Sequence, residues 1–189
     1  MGKIKLSQTE VSQTINLNEI VKTDLSLDPA LVNKIGQDII DLIRSRTESG
    51  KEIGGERDLK KPYSESYADS LPFKAAGKSK NKIDMTLTGD MLGSIDLAEN
   101  DPESLKIEVD PSQAPKAYNH NVGDTVPKRP WFGVTRDELM EILDRHKEDI
   151  SAIKEDRADV IQSLRTGNQQ QTLIDVFRRN GFFGDDDEL

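Results

Sequence analysis

Residues 28–47 read DPALVNKIGQDIIDLIRSRT, and their spacing predicts a helix. Asp28 is a good N-cap, because its carboxylate can accept from an orphan amide of the first turn. Pro29 suits the first helical position, where no amide hydrogen is needed. Leu31, Ile35, Ile39 and Leu42 recur at helical spacing, and Val32 and Ile43 widen the apolar stripe. The helix is expected to stop near Thr47, ahead of Gly50, Gly54 and Gly55. Two segments offer a surface for that stripe. Ile83, Met85 and Leu87 alternate with Asp84 and Thr86, and Leu105, Ile107 and Val109 alternate with Lys106 and Glu108. Both are the period-two pattern of a half-buried strand. The chain is therefore expected to combine helices with short strands.

Upstream of the helix, residues 1–27 are polar with scattered Val11, Ile15, Leu17, Ile20 and Val21, and read as an N-terminal arm with at most one short strand or helix. Downstream, residues 48–82 are rich in Lys, Ser and Gly and predict a long loop, which in a compact domain usually binds something. Thr88-Gly89-Asp90 reads as a turn capping a short helical segment through Ile95. Residues 110–134 hold Pro111, Pro115, Pro127 and Pro130 with Gly123 and Gly133, and read as loop broken by short elements. Thr135 and Glu138 have capping-box spacing. Leu139, Ile142, Leu143, His146, Ile150 and Ile153 then keep helical phase, resumed by Val160, Ile161 and Leu164. This predicts one long helix, or two with a break near Glu155–Arg157. Leu173, Ile174 and Phe177 suggest a last short helix before an acidic tail, Gly181–Leu189. The expected organisation is an arm (1–27), a central domain (28–150) and a C-terminal helical extension with its tail (151–189).

The chain has 189 residues, of which 34% are apolar and 32% charged, with a mean hydropathy of −0.66. Such a chain can bury only a modest core, and part of it is expected to order against a partner. The formal net charge of −9, from 35 acidic and 26 basic residues, repels a phosphate backbone unless the basic residues are segregated. There is no cysteine, which excludes disulfides and thiolate metal sites. No apolar run approaches the roughly 20 residues of a membrane span, and Met1–Leu6 lacks the apolar stretch of a signal peptide. The expected setting is the cytosol, or something assembled there.

Catalytic chemistry finds little support. His146 falls on the apolar stripe of its helix, where a packed histidine is the ordinary reading. His120, in Tyr118-Asn119-His120-Asn121, has no metal-ligand spacing around it, and a hydrogen-bonding role fits it best. Gly54-Gly55 lacks the Lys-Ser/Thr and the preceding strand of a phosphate loop. Asp185-Asp186-Asp187-Glu188 lacks the alternating ligands and turn glycine of a calcium loop. No active site, metal or cofactor is expected.

Two segments are more particular than ordinary loop. Residues 61–95, KPYSESYADSLPFKAAGKSKNKIDMTLTGDMLGSI, set Tyr63, Tyr67 and Phe73 in a lysine-rich loop that runs into the Thr88-Gly89 turn. Lysines interleaved with aromatics can signal nucleic acid. Here Glu65, Asp69 and Asp84 lie among them, and a protein-docking loop is the better reading. Residues 117–139, AYNHNVGDTVPKRPWFGVTRDEL, place Lys128 and Arg129 between two prolines, ahead of Trp131 and Phe132. A proline-fixed turn presenting Arg and Trp has the chemistry of an interface anchor. For Trp131, interface and core remain equally open; Phe132 reads as core. The candidate assembly interface comprises Tyr63, Tyr67, Thr88, Gly89, Lys128, Arg129 and Trp131.

Leu87, Thr88, Gly89, Met91 and Ser94, followed by Tyr118, His120, Gly123, Pro127, Arg129, Pro130, Trp131, Phe132 and Gly133, form an ordered set. This set resembles the tailed-phage virion-morphogenesis or tail-completion proteins, a group that includes the Mu-type morphogenesis proteins and the related head–tail joining family. The resemblance spans roughly residues 29–150. It implies an α+β fold, a small antiparallel sheet covered by helices, in a structural protein of the virion neck, and no catalysis. Copies would form a ring that completes the tail or joins it to the head connector. The implied partners are copies of the chain itself, tail-tube or tail-terminator proteins and head-connector proteins, with DNA passing through the channel without specific binding. Another neck component, such as a head-completion or adaptor subunit, and an acidic cytosolic binding protein outside the virion are the alternatives.

Overall fold

In the computed structural model the described residues are 2–21, 27–59, 62–86 and 88–166. They form two compact units that divide between Arg145 and His146. The first is α+β. Its chain runs β1 (Lys3–Leu6), β2 (Val11–Asn16), α1 (Leu17–Val21), α2 (Pro29–Glu48), α3 (Glu65–Ala68), α4 (Leu71–Ala75), α5 (Asp90–Gly93), β3 (Ile95–Asn100), β4 (Ser104–Val109), α6 (Ala114–Val122) and α7 (Arg136–Arg145). The strands make one antiparallel sheet in the order β1-β2-β4-β3.

The helix read from residues 28–47 forms as expected. Asp28 accepts from the Ala30 amide at 3.0 Å, and α2 runs to Glu48. Its stripe of Leu31, Val32, Ile35, Ile39, Ile40 and Ile43 is buried, at roughly 1.5–3 kcal/mol of stabilisation for each large side chain relative to exposure. Helix α2 packs on β3 and β4, and α7 packs on α2. The closest approach is at Gly36, where a Cβ would stand 2.9 Å from the Leu97 methyls. A larger residue there would force the Leu97 side chain to move.

The N-terminal segment is no arm through residue 21. It supplies β1 and β2, and β2 lies inside the sheet, with Gln13 opposite Ile107 and Ile15 opposite Leu105. The strand escapes a periodicity reading because Gln13 interrupts the apolar face between Val11 and Ile15. That polar group is buried and satisfied: its Oε1 accepts from the Val134 amide at 2.8 Å, and its Nε2 donates to the Val134 carbonyl at 3.2 Å.

Strand β4 forms where its alternation predicted it, and its sheet partner β3 follows directly on α5. Gly89 begins α5 with φ +81°, a conformation glycine adopts at little cost. Arg44, from α2, ends that helix. Its guanidinium donates to the carbonyls of Leu92 (3.0 Å), Gly93 (3.2 Å) and Ile95 (2.8 Å), which absorbs the unpaired helix end and releases the chain into β3. The helical segment therefore stops at Gly93 rather than running through Ile95.

The segment beginning at Ile83 is not a strand through residue 86. Ile83, Asp84 and Met85 are buried in succession, and Met85 takes φ +54°, which breaks the pleat. Leu87 lies outside the described residues. The proline-rich stretch 110–134 contains the nine-residue α6, which accepts Pro115 in its first turn. The break in the C-terminal helical region comes at His146, not near Glu155–Arg157. Between Leu143 and Ile150 the chain is polar at every position, so no apolar contact of the stripe holds that turn. The second unit, described by itself, contains α8 (Lys147–Thr166), whose first turn carries Glu148 and Asp149 where the helix dipole favours them. The expected last helix and the acidic tail lie outside the described residues.

Candidate assembly interface

Gly123 ends α6 with φ +78°, and a Cβ on it would meet Lys128 Cβ at 2.6 Å and Lys128 N at 2.8 Å. This tight reversal lays the chain back along the helix, and the Arg129 amide donates to the His120 carbonyl at 2.7 Å. The next residues are tethered from four directions. The Trp131 and Phe132 amides both donate to Asn121 Oδ1 at 3.2 Å. Arg46 Nη2 donates to the Trp131 and Gly133 carbonyls at 2.7 Å, while its Nη1 pairs with Glu138 at 2.5 Å. The Ile53 amide donates to the Pro130 carbonyl at 2.9 Å, and Gln13 holds Val134. Glu138 in turn closes the predicted capping box, accepting from the Thr135 amide at 2.9 Å while its own amide donates to Thr135 Oγ1 at 3.3 Å.

Two of the interface candidates are corrected by this arrangement. Trp131 is 0% exposed and packs edge-on against Phe132 with ring centroids 5.6 Å apart, so it belongs to the core. Arg129 is 2% exposed rather than presented to a neighbour. Its guanidinium lies 5.2 Å from the centre of the Tyr63 ring, a cation–π geometry.

That contact joins the two segments singled out in the sequence. Tyr63, Tyr67 and Phe73 form an aromatic cluster with centroids 5.2–5.3 Å apart. The Tyr63 hydroxyl accepts from the Met85 amide at 3.1 Å. Between this cluster and the turn after α6 opens a cleft of about 640 Å³, lined by Tyr63, Tyr67, Met85, Lys116, His120, Pro127 and Arg129 among others. Lys128 is exposed but is not among the lining residues, and neither are Thr88 and Gly89. Lys116 carried no signal of its own in the sequence, and Met85 was legible only as part of a strand pattern. They reach the cleft only because α6 forms and because Met85 adopts its left-handed backbone.

Burial, then the positive charges of Arg129 and Lys116, push the His120 pKa down from 6.5 to about 4. His120 is therefore neutral at pH 7 and a poor proton carrier there. Burial pushes the Tyr63 and Tyr67 hydroxyls up, so both stay protonated. Burial also opposes ionisation of Asp84, but hydrogen bonds from Lys78 and the Thr86 amide outweigh it and hold its carboxyl below the usual range. Lys78 donates to Asp84 at 2.7 Å and to Thr86 at 2.6 Å. Lys74 pairs with Asp69 at 3.0 Å, and Lys80 pairs with Glu65. The loop's basic appearance is thus largely cancelled inside the loop. Among the described residues no three His, Asp or Glu side chains stand together as a metal site would require, and no helix is long and apolar enough to cross a membrane. Family models, curated proteins and solved structures give no match to this chain.

Proposed function

We propose that this chain is a structural protein of a tailed-phage virion, and that its copies form a ring at the neck which completes the tail or joins it to the head connector. The reading is supported above all by where the motif residues fall. Gly89 begins α5, and the Ser94 hydroxyl donates to the Met91 carbonyl at its end (2.9 Å). Gly123 closes the turn after α6, Trp131 and Phe132 fill the core, and Gly133, at φ +107°, lies so near Gln13 that a Cβ would stand 3.0 Å from its Oε1. Several of the residues that carry the resemblance are thus ones this architecture needs, as expected if the resemblance reflects a common fold. The cleft adds a surface on which a neighbour can dock. In this reading the protein has no catalytic role, takes no cofactor and lets DNA pass without gripping it, in keeping with its acidic balance. Mass spectrometry of purified particles from a phage carrying this gene should detect the protein in fixed stoichiometry, and disrupting the gene should yield separate heads and tails by electron microscopy. Absence from the particle overturns the reading.

A further inference from the structure

The cleft beside α6 has a chemistry that selects its occupant. Tyr63, Tyr67, Met85 and Pro127 offer apolar and aromatic surface, and its volume suits a short peptide side chain or two. Its charged lining residues are Lys116 and Arg129, both cationic, with no carboxylate among the lining residues, although acidic residues outnumber basic ones 35 to 26 in the chain. Arg129 lies at the floor and supplies field, whereas Lys116 is exposed and can meet a carboxylate directly. The complementary ligand is a peptide with aromatic side chains next to acidic ones.

The chain carries such a segment beyond its described residues. Two places in the sequence hold adjacent aromatics: Trp131-Phe132, which is buried, and Phe182-Phe183, which is followed by Gly184 and then Asp185-Asp186-Asp187-Glu188. We infer that the segment Gly181–Glu188 of a second copy of this chain docks in the cleft, its phenylalanines against the Tyr63–Tyr67–Pro127 wall and its carboxylates against Lys116. A cleft and its complement on different parts of one chain make a heterologous contact, the kind that propagates from subunit to subunit and closes into a ring where the rotation between neighbours permits. The inference therefore rests on the ring reading for the choice of a second copy, while the cleft's preference for an aromatic, acidic peptide stands on the lining residues alone.

The test uses the full chain and a fluorescent peptide with the sequence of residues 181–189. By anisotropy the peptide should bind saturably and compete with self-association measured by sedimentation velocity. Lys116→Glu in the chain, or Phe182→Ala with Phe183→Ala in the peptide, should each weaken binding by about tenfold or more, as when a hot-spot contact is removed. Lys116 is exposed, so its replacement leaves the fold intact, which circular dichroism checks. The Lys116→Glu chain and a full chain carrying both Phe→Ala changes should each stay monomeric alone and associate when mixed, because one keeps the segment and the other keeps the cleft. Absence of saturable binding both to the unaltered chain and to the chain with both Phe→Ala changes overturns the proposal, as does binding indifferent to Lys116→Glu. Peptide binding confined to the chain with both Phe→Ala changes, with no association on mixing, would place the segment in its own chain's cleft and overturn the second-copy contact. A protein missing from virions would sink the ring without altering the anisotropy result, so the two failures are separable.

Discussion

The tethered stretch 129–134 and the loop 62–86 look alike on paper, both carrying proline, glycine, aromatic and basic residues, yet the fold uses them oppositely. In the first, side chains from elsewhere in the fold hold much of the backbone: Asn121 takes two amides, Arg46 two carbonyls, and Gln13 both polar groups of Val134. In the second, the ties are mostly internal, through the aromatic cluster and the Lys78–Asp84 and Lys80–Glu65 pairs, and Leu71 and Tyr67 stay 84% and 37% exposed. Composition does not decide whether a polar, proline-bearing segment is core or surface. What decides is whether partners elsewhere in the chain satisfy its polar groups.

The sharpest way to break this contrast is to cut the tethered stretch. Trp131→Ala should cost about 3–5 kcal/mol by emptying a fully enclosed site. Arg46→Met should cost a similar amount, roughly 3–5 kcal/mol, by leaving Glu138 and two carbonyls without their guanidinium. Urea denaturation of the full chain checks both, and a midpoint unmoved by Trp131→Ala would return that residue to the surface.

Acid should expose the boundary between the two regions. The folded pKa of His120 is depressed to about 4 against 6.5 ordinarily, so between those values the unfolded chain binds a proton that the native chain refuses. The stability this contributes is present above pH 6.5 and is lost as pH falls toward 4, at most about 3 kcal/mol in all. His120→Gln, which cannot titrate, should flatten the fall in melting temperature across that window. The lowered carboxyls of Asp84 and Glu138 act further down and are common to both proteins.

Smaller effects sharpen the comparison. Asn121→Ala strands two buried amides and should cost about 1–3 kcal/mol, read from the same denaturation curves. Tyr67→Ala, in the loop, removes ring contacts with Tyr63 and Phe73 and should cost only about 0.5–1.5 kcal/mol. Lys128→Ala, at an exposed position beside the tethered stretch, should stay within about 0.5 kcal/mol of the parent. A Tyr67→Ala loss as large as that of Asn121→Ala would mean that the loop is as firmly anchored as the stretch it faces.

Sequence alone determined the features whose energetics are settled within a few residues. The Asp28 cap and apolar stripe of α2, the Thr135–Glu138 box of α7, the alternation of β4 and the Gly89 start of α5 each depend on neighbours one to four positions away. Tertiary structure decided the rest. Strand β2 carries Gln13 on its inner face, which is tolerable only because Val134, 121 residues distant, supplies both partners. Helix α5 gives way to β3 where Arg44 arrives to take the last carbonyls, Arg129 lies over the Tyr63 ring, and the backbone of Trp131 is held by Asn121 and Arg46. A polar group inside a protein is costly until its partner is in place. When that partner lies far along the chain, no local pattern announces it.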